Sequence, residues 1–159
     1  MISFKDMYQK YEPDVFRFAC WLCRNAHDAE DITSETFVRA WAGSGRLNAQ
    51  TLKGYLLKIA RNLWLDQLKK RKRRAGELED VADKSLNPQE QILQDESVRS
   101  VQDALADLQE SDRHILVLRY TEELSYQEIA DCLGLSLAAV KVALHRAKKR
   151  LGKRIEEES

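Results

Sequence analysis

The chain has 159 residues, of which 43% are hydrophobic and 33% charged, with six glycines and two prolines. This composition can bury a core and favours helices, and it excludes collagen-like, low-complexity and all-β proteins. The net charge is zero. No run of 18 apolar residues and no basic leader followed by an apolar stretch occurs, so we expect no membrane-spanning helix, no signal peptide and a cytoplasmic location.

The charges are segregated along the chain. Residues 1–74 hold 15 Lys and Arg against 8 Asp and Glu, residues 75–110 hold 2 against 10, and residues 111–159 hold 9 against 8. A basic, an acidic and a nearly neutral segment therefore follow one another. Because charge governs association more than folding, this order indicates segments with different partners.

The first segment predicts consecutive helices. Ser3 is placed to cap the first helix, and Pro13 is expected to break it and start a second. A third helix is expected to open at Asp28 and to end at Gly43. Thr51 is placed to cap a fourth helix, which continues into a run of cations.

That run is Lys69–Arg74, six consecutive basic residues. A polyanion such as nucleic acid neutralises such a run and releases counterions, although a solvated helix end would also explain it. Residues 76–95 follow, with an acidic composition typical of a linker. The sequence thus predicts a domain over 1–75, a linker over 76–95 and a second domain over 96–159.

The second domain contains a helix-turn-helix pattern. Ser125 and Glu128 form a capping box at the start of one helix, and Gly134 stands where a helix needs a left-handed C-cap. Ser136 then caps the next helix. That helix buries one apolar stripe and exposes another that is partly basic, which suits the major groove of DNA. A helix of a generic bundle is the plainer alternative.

Both halves match one known pattern. Residues 28–41 and 55–62, together with the basic run, resemble region 2 of the extracytoplasmic-function (ECF) sigma factors of bacterial RNA polymerase. Region 4 of the same family is similar to residues 116–120, 124–130, 133–136 and 140–147. The resemblance implies an all-α protein with two small helical domains joined by an acidic linker. It also implies a factor without catalytic residues, metal or cofactor that binds core RNA polymerase and directs promoter-specific transcription initiation.

The resemblance assigns residues to three surfaces. The residues assigned to polymerase binding are Asp31, Glu35, Phe37 and Trp41. Contacts to the minus-ten element fall on Arg46, Asn48, Lys58, Arg61, Asn62, Asp66, Lys69, Lys70, Arg71, Arg73 and Arg74. Contacts to the minus-thirty-five element fall on Ser136, Ala138, Lys141, Val142, His145, Arg146 and Lys149. The family further implies an anti-sigma partner, which could hold this cytoplasmic bacterial protein at the membrane.

The sequence departs from the family pattern on the reading helix. Ala139, Val142 and Ala143 stand where Thr, Ser and Arg are usual, and Ser34 stands where the family often has Gln. The more apolar reading face predicts few hydrogen bonds to bases and a larger share for thymine methyl groups and DNA shape.

Two other functions stay open from the sequence. Cys20, Cys23 and His27 fall on one helical face and suggest a thiol- or metal-sensing regulator, although four ligands are wanted for structural zinc and buried thiols explain the pattern as well. A stand-alone helix-turn-helix regulator would explain the second domain alone.

Overall fold

A computed structural model describes residues 2–43, 51–74 and 96–158 of the chain. The first three helices are α1 (Phe4–Cys23), α2 (Ala26–Ala42) and α3 (Leu52–Arg74), and the remaining four are α4 (Glu96–Asp107), α5 (Glu110–Leu116), α6 (Tyr126–Leu133) and α7 (Leu137–Glu158). No strand occurs in the described ranges, which confirms the all-α prediction. No helix among them is both long and apolar enough to cross a bilayer.

The chain divides into two compact units, Met1–Asn87 and Pro88–Ser159. The predicted linker over 76–95 lies outside the described residues. The first unit is a bundle in which each of α1, α2 and α3 packs against the other two. Its core is apolar and fully buried, and includes Val15, Phe18, Ala19, Ile32, Leu56, Leu57 and Ala60.

Helix α1 corrects one prediction. It runs without interruption through Pro13, which was expected to break it. A proline removes one hydrogen bond to the carbonyl four residues earlier, and both Pro13 and Gln9, which carries that carbonyl, are exposed. Met7 before the proline and Val15 after it are both buried, so packing on either side holds the helix together.

The predicted start of α2 is also wrong. It begins at Ala26 instead of Asp28, because the Asn25 side chain accepts hydrogen bonds from the backbone N–H groups of His27 and Asp28, at 2.9 and 3.2 Å. Asp28 is the carboxylate of the first turn, which opposes the positive end of the helix dipole. At the other end, Gly43 is the C-cap as predicted.

The second unit packs α4, α5 and α6 against α7. After α5 the helix widens into a π-helical turn, Val117–Thr121, closed by a 2.9 Å bond from the Glu122 N–H to the Val117 carbonyl. Arg119 braces the start of α6, since it donates to the Leu124 carbonyl at 2.9 Å and lies over the ring of Tyr126. The core combines Ala104, Ile115, Val117, Leu118, Leu124, Ile129, Val140, Leu144 and Ala147.

Candidate nucleic-acid and partner interfaces

The helix-turn-helix forms with the predicted caps. Ser125 accepts from the Glu128 N–H and the Glu128 carboxylate accepts from the Ser125 N–H, both at 3.1 Å, so the capping box is complete. Gly134 adopts the left-handed conformation with φ 68°. Ser136 accepts from the Ala139 N–H at 3.1 Å and starts α7. Local hydrogen bonds between side chains and backbone N–H groups therefore cap both helices of the motif.

Helix α7 exposes the predicted reading face. Val140, Leu144 and Ala147 are buried against the rest of the unit. Every residue assigned to the minus-thirty-five element from the sequence is exposed, namely Ser136, Ala138, Lys141, Val142, His145, Arg146 and Lys149.

The basic residues of α7 between Lys141 and Arg150 fall into two groups. Arg150 on one flank donates to both carboxylate oxygens of Asp112 on α5, at 2.9 and 3.0 Å. Lys148 on the other flank lies over the Tyr120 ring at 5.1 Å, and its side-chain hydrogen bond with Tyr120 raises the pKa of the ammonium group. These two cations are engaged within the domain.

The second group is open. No side-chain hydrogen bond or ion pair joins any member of it to the rest of the described chain. It comprises Lys141, His145, Arg146 and Lys149. Because these side chains form no hydrogen bond or ion pair with the described chain, they can bind phosphate oxygens without breaking an existing contact.

The start of the reading face is apolar. Val142 is 49% exposed, and Leu135 and Leu137 in and after the turn are each 41% exposed. The Ser136 hydroxyl is already used as an acceptor by the cap, which leaves its proton as a donor. This surface offers methyl groups more than hydrogen-bonding groups to the edges of bases.

Helix α3 carries the second cationic surface. Lys58, Asn62, Asp66, Lys69 and Arg73 are exposed and follow one another at intervals of three or four residues, which places them on one face. Lys70 and Arg74 are exposed beside it. Arg61 differs, because it is half-buried and its Nε is enclosed without a hydrogen-bond acceptor among the described residues.

Arg71 does not share that open face. Its Nη2 lies 2.6 Å from Oδ2 of Asp28 at the start of α2. The sequence assigned Arg71 to DNA together with its neighbours, whereas the structure places it in a contact between helices. Arg46 and Asn48, assigned to the same element, lie outside the described residues.

Helix α2 presents the predicted partner surface with one exception. Asp31, Glu35 and Trp41 are exposed, and each acid has an exposed neighbour one turn away, His27 at 3.8 Å from Asp31 and Arg39 at 3.2 Å from Glu35. Phe37, predicted to belong to this surface, is 1% exposed. It lies in the core because it is on the buried side of the helix with Ile32 and Ala40. Phe37 therefore cannot contact a partner directly and can only pack beneath the exposed residues.

The sequence missed one residue of this surface. Val38 is 58% exposed and lies one turn from both Glu35 and Trp41. An apolar residue on the polar side of the helical wheel is the signal that could have identified it.

Cys20, Cys23 and His27 do not share the predicted helical face, because the two cysteines lie in α1 and His27 lies in α2. Cys20 is buried, and burial raises the pKa of both Cys20 and Cys23 to about 12, with Glu30 adding to the effect at Cys20 and Asp28 at Cys23. Among the described residues no group of three His, Cys, Asp or Glu side chains is placed to hold a metal ion. The thiol- or metal-sensing alternative therefore has no support in this geometry.

Both domains match known protein families. Residues 7–74 match Sigma-70 region 2, and residues 99–151 match Sigma-70, region 4. The chain is 30% identical to the ECF RNA polymerase sigma factor SigM of Bacillus subtilis (strain 168), covering 94% of this chain and 93% of SigM. It is 31% identical to SigX of the same strain, covering 97% and 84%. It is 36% identical to SigE of Mycolicibacterium smegmatis, but spans only 61% of that protein's length.

Two solved structures with a similar fold are complexes. The sigma factor RpoE of Bartonella quintana, bound to the anti-sigma factor NepR, matches with a TM-score of 0.80 and 25% identity over 96% of both chains. CnrH, in complex with the cytosolic domain of CnrY, matches with a TM-score of 0.72 over 98% of this chain and 89% of CnrH. At 20% identity, the likeness to CnrH shows the fold alone.

Proposed function

Since this chain belongs to the ECF sigma factors of bacterial RNA polymerase, we propose that its two domains act as a pair on one promoter. In this proposal the first domain docks on core polymerase and opens the minus-ten element, and the second reads the minus-thirty-five element. RNA synthesis is the work of the polymerase, and no catalytic role is assigned to this chain. The observation that carries the proposal is the presence of an open cationic surface in each of the two domains.

In the first domain, α2 and α3 bind different partners. The exposed face of α2 with Asp31, Glu35, Val38 and Trp41 docks on the polymerase. The face of α3 with Lys58, Asn62 and Lys69 follows the non-template strand of the minus-ten element, and Lys70, Arg73 and Arg74 bind its phosphates. A single strand held by cations is salt-sensitive and tolerant of sequence, so any base discrimination there needs further contacts.

In the second domain, α7 enters the major groove. Lys141, Arg146 and Lys149 provide phosphate contacts that fix the register, while Ala138 and Val142 meet base edges. Because these two side chains carry no donor or acceptor, thymine methyl groups are the base features they can recognise.

An anti-sigma protein is proposed as the regulator. This part of the proposal is supported by the likeness to RpoE, which was solved in complex with the anti-sigma factor NepR. The regulator would cover the polymerase and DNA surfaces of the chain in the bacterial cytoplasm. A membrane-anchored regulator would hold the chain at the membrane until a signal releases it.

Run-off transcription tests the proposal. Purified chain and core polymerase are combined with a library of promoter fragments, and the RNA 5′ ends are mapped. We expect initiation at defined sites that depends on the added chain. A stand-alone helix-turn-helix regulator would instead bind duplex DNA tightly without polymerase, as a dimer. Core enzyme that gains no start-site selection would refute the sigma-factor proposal.

A further inference from the structure

A carboxylate interrupts the cationic face of α3. Lys58, Lys69 and Arg73 are exposed on this face, and Asn62 and Asp66 stand between them, also exposed. The five residues are spaced by three or four positions, so their side chains follow one another along one side of the helix. At the usual rise per residue, Lys58 and Lys69 are about 16 Å apart along the helix axis. The face therefore has a gap between its cations, and Asp66 makes that gap negative.

The Asp66 carboxylate has no partner in the described part of the chain. Lys69 and Lys70 follow it by three and four residues on α3, the spacings at which opposite charges pair on a helix. Asp14 in the same unit uses such a spacing, since its Oδ1 lies 2.6 Å from Nη2 of Arg17. No hydrogen bond or ion pair joins Asp66 to the described residues. Its two oxygens are therefore open as acceptors.

A carboxylate at this place keeps a phosphate backbone away. Two negative charges at contact distance repel each other, and they do so more strongly near a protein surface than in bulk water. A single strand that follows the face can place phosphates at Lys58 and Lys69 but not across Asp66. Of the uncharged parts of a DNA strand, only the bases carry N–H donors, so a base edge is the group that can satisfy the carboxylate.

The chemistry of the bases decides which edge fits. Adenine, cytosine and guanine each carry an exocyclic amino group that can donate to a carboxylate. Guanine fits best, because its amino group and its ring N1–H lie side by side and can donate to the two oxygens of one carboxylate. Thymine fits worst, because two carbonyl oxygens flank its N–H and repel the negative charge. The Watson–Crick edge that carries these groups is fully accessible only when the base is unpaired.

We propose that Asp66 reads one base of the unpaired non-template strand. It accepts hydrogen bonds from a base with an amino group, guanine most strongly, and it selects against thymine at that position. This inference rests on the proposed function, in which α3 follows the non-template strand. It supplies base discrimination that the cations of the face cannot give, because phosphate contacts are the same for every sequence.

Binding of the polymerase complex to a fork-junction DNA tests the proposal. The minus-ten region of this DNA consists of the non-template strand alone, so base changes do not alter the cost of melting a duplex. Each position of the single strand is varied among the four bases, and the Kd is measured by fluorescence anisotropy. We expect one position at which the parent chain binds guanine about tenfold more tightly than thymine, the size of a bidentate base contact. Four bases bound within twofold of one another at every position would overturn the inference.

Inosine narrows the test to a single group. It is guanine without the amino group, and it keeps the N1–H. We expect inosine at the selected position to weaken binding about threefold or more relative to guanine, because one of the two hydrogen bonds to the carboxylate is lost. Inosine bound as tightly as guanine would show that the amino group is not read and would overturn the inference.

A matched pair of variants tests whether Asp66 makes this contact. Asp66→Ala removes the carboxylate from α3, and Asp103→Ala removes an exposed carboxylate from α4 in the second unit, so both change the net charge alike. We expect Asp66→Ala to bind guanine and thymine strands within twofold of each other, and Asp103→Ala to keep the tenfold preference. Asp66→Ala should also bind the thymine strand more tightly than the parent does, because the repulsion is gone. Loss of structure cannot produce that gain, since it weakens binding to every strand.

The outcomes separate the inference from the proposed function. If the parent chain fails to bind core polymerase, or the complex fails to bind the fork junction, the proposed function fails and the inference fails with it. If the complex binds and Asp66→Ala keeps the preference of the parent, only the role of Asp66 is refuted. Equal weakening of all four strands by Asp66→Ala would assign Asp66 a structural role and would also overturn the inference.

Discussion

Nη2 of Arg71 lies 2.6 Å from Oδ2 of Asp28, and this ion pair joins the end of α3 to the start of α2 across 43 residues of sequence. Asp28 is mostly covered, with 22% of its side chain exposed, while Arg71 is 52% exposed. Arg71 is thereby engaged in a contact between helices. The contact holds the basic end of α3 against the helix proposed to dock on the polymerase.

The first prediction contrasts Arg71 with its neighbour Lys70. Arg71→Ala should lower the free energy of unfolding of the first domain by about 0.2–1 kcal/mol, as expected for a partly exposed ion pair. Lys70→Ala should leave stability unchanged but reduce the slope of log K against log salt for promoter binding by about 0.7–0.9. All three tryptophans lie in this domain, so tryptophan fluorescence in urea measures its unfolding. A slope reduced equally by both variants would contradict the structural assignment of Arg71.

A second prediction concerns two arginines one turn apart on α7. Arg150→Ala leaves the buried Asp112 carboxylate without its charged donor, and should destabilise the second domain by roughly 1–2 kcal/mol. Arg146→Ala breaks no contact, and should weaken promoter binding while leaving unfolding unchanged. Circular dichroism in urea and promoter binding by the polymerase complex measure the two effects. The assignment fails if the two variants exchange these effects.

Two glycines provide a third test with opposite signs. A methyl group added at Gly134 or at Gly152 would meet no atom beyond the local backbone within 4 Å, so only backbone conformation distinguishes the sites. Gly134→Ala should cost about 1 kcal/mol because its φ is +68°. Gly152→Ala, inside α7, should add about 0.5–1 kcal/mol. Denaturation of both variants followed by circular dichroism checks the signs, and a loss at Gly152 would be inconsistent with its helical conformation.

The thiols give a prediction for pH. With pKa values of about 12 against an ordinary 9.0, Cys20 and Cys23 should carry about a thousandfold less thiolate at pH 8 in the folded chain than in urea. Alkylation in the native state should be slower by a similar factor, as measured by peptide mapping. Since the unfolded thiols ionise first, the free energy of unfolding should fall as pH rises from about 9 to 12. Fast alkylation of the native chain at pH 8 would contradict the raised pKa values. The double variant Cys20→Ala, Cys23→Ala should retain transcription.

The reading face can be tested one methyl group at a time. Replacing thymine by uracil at a position contacted by Val142 should weaken binding of the minus-thirty-five duplex about fourfold, the value of one buried methyl group. Val142→Ala should make binding insensitive to that replacement, whereas Lys149→Ala should weaken binding to both duplexes alike. Promoter binding by the polymerase complex on a selected promoter provides the measurement. Uracil tolerated at every thymine would refute methyl recognition.

Features that depend on neighbouring residues could be predicted from the sequence. The capping box at Ser125, the left-handed turn at Gly134 and the cap at Ser136 are bonds between residues no more than five positions apart, and all form as predicted. The Asn25 cap was equally local and was overlooked in favour of Asp28. The exposed stripe of α7 followed from helical periodicity alone, because its opposite side is apolar.

Which basic side chains remain free to contact a partner depends on long-range packing. The basic run around Arg71 and the basic residues of α7 look uniform in sequence, but Arg71 pairs across 43 residues and Arg150 across 38. Packing likewise brought the rings of Phe4 and Trp41 together from two helices. Such contacts depend on where distant segments meet after folding, and a periodic pattern contains no information about that distance.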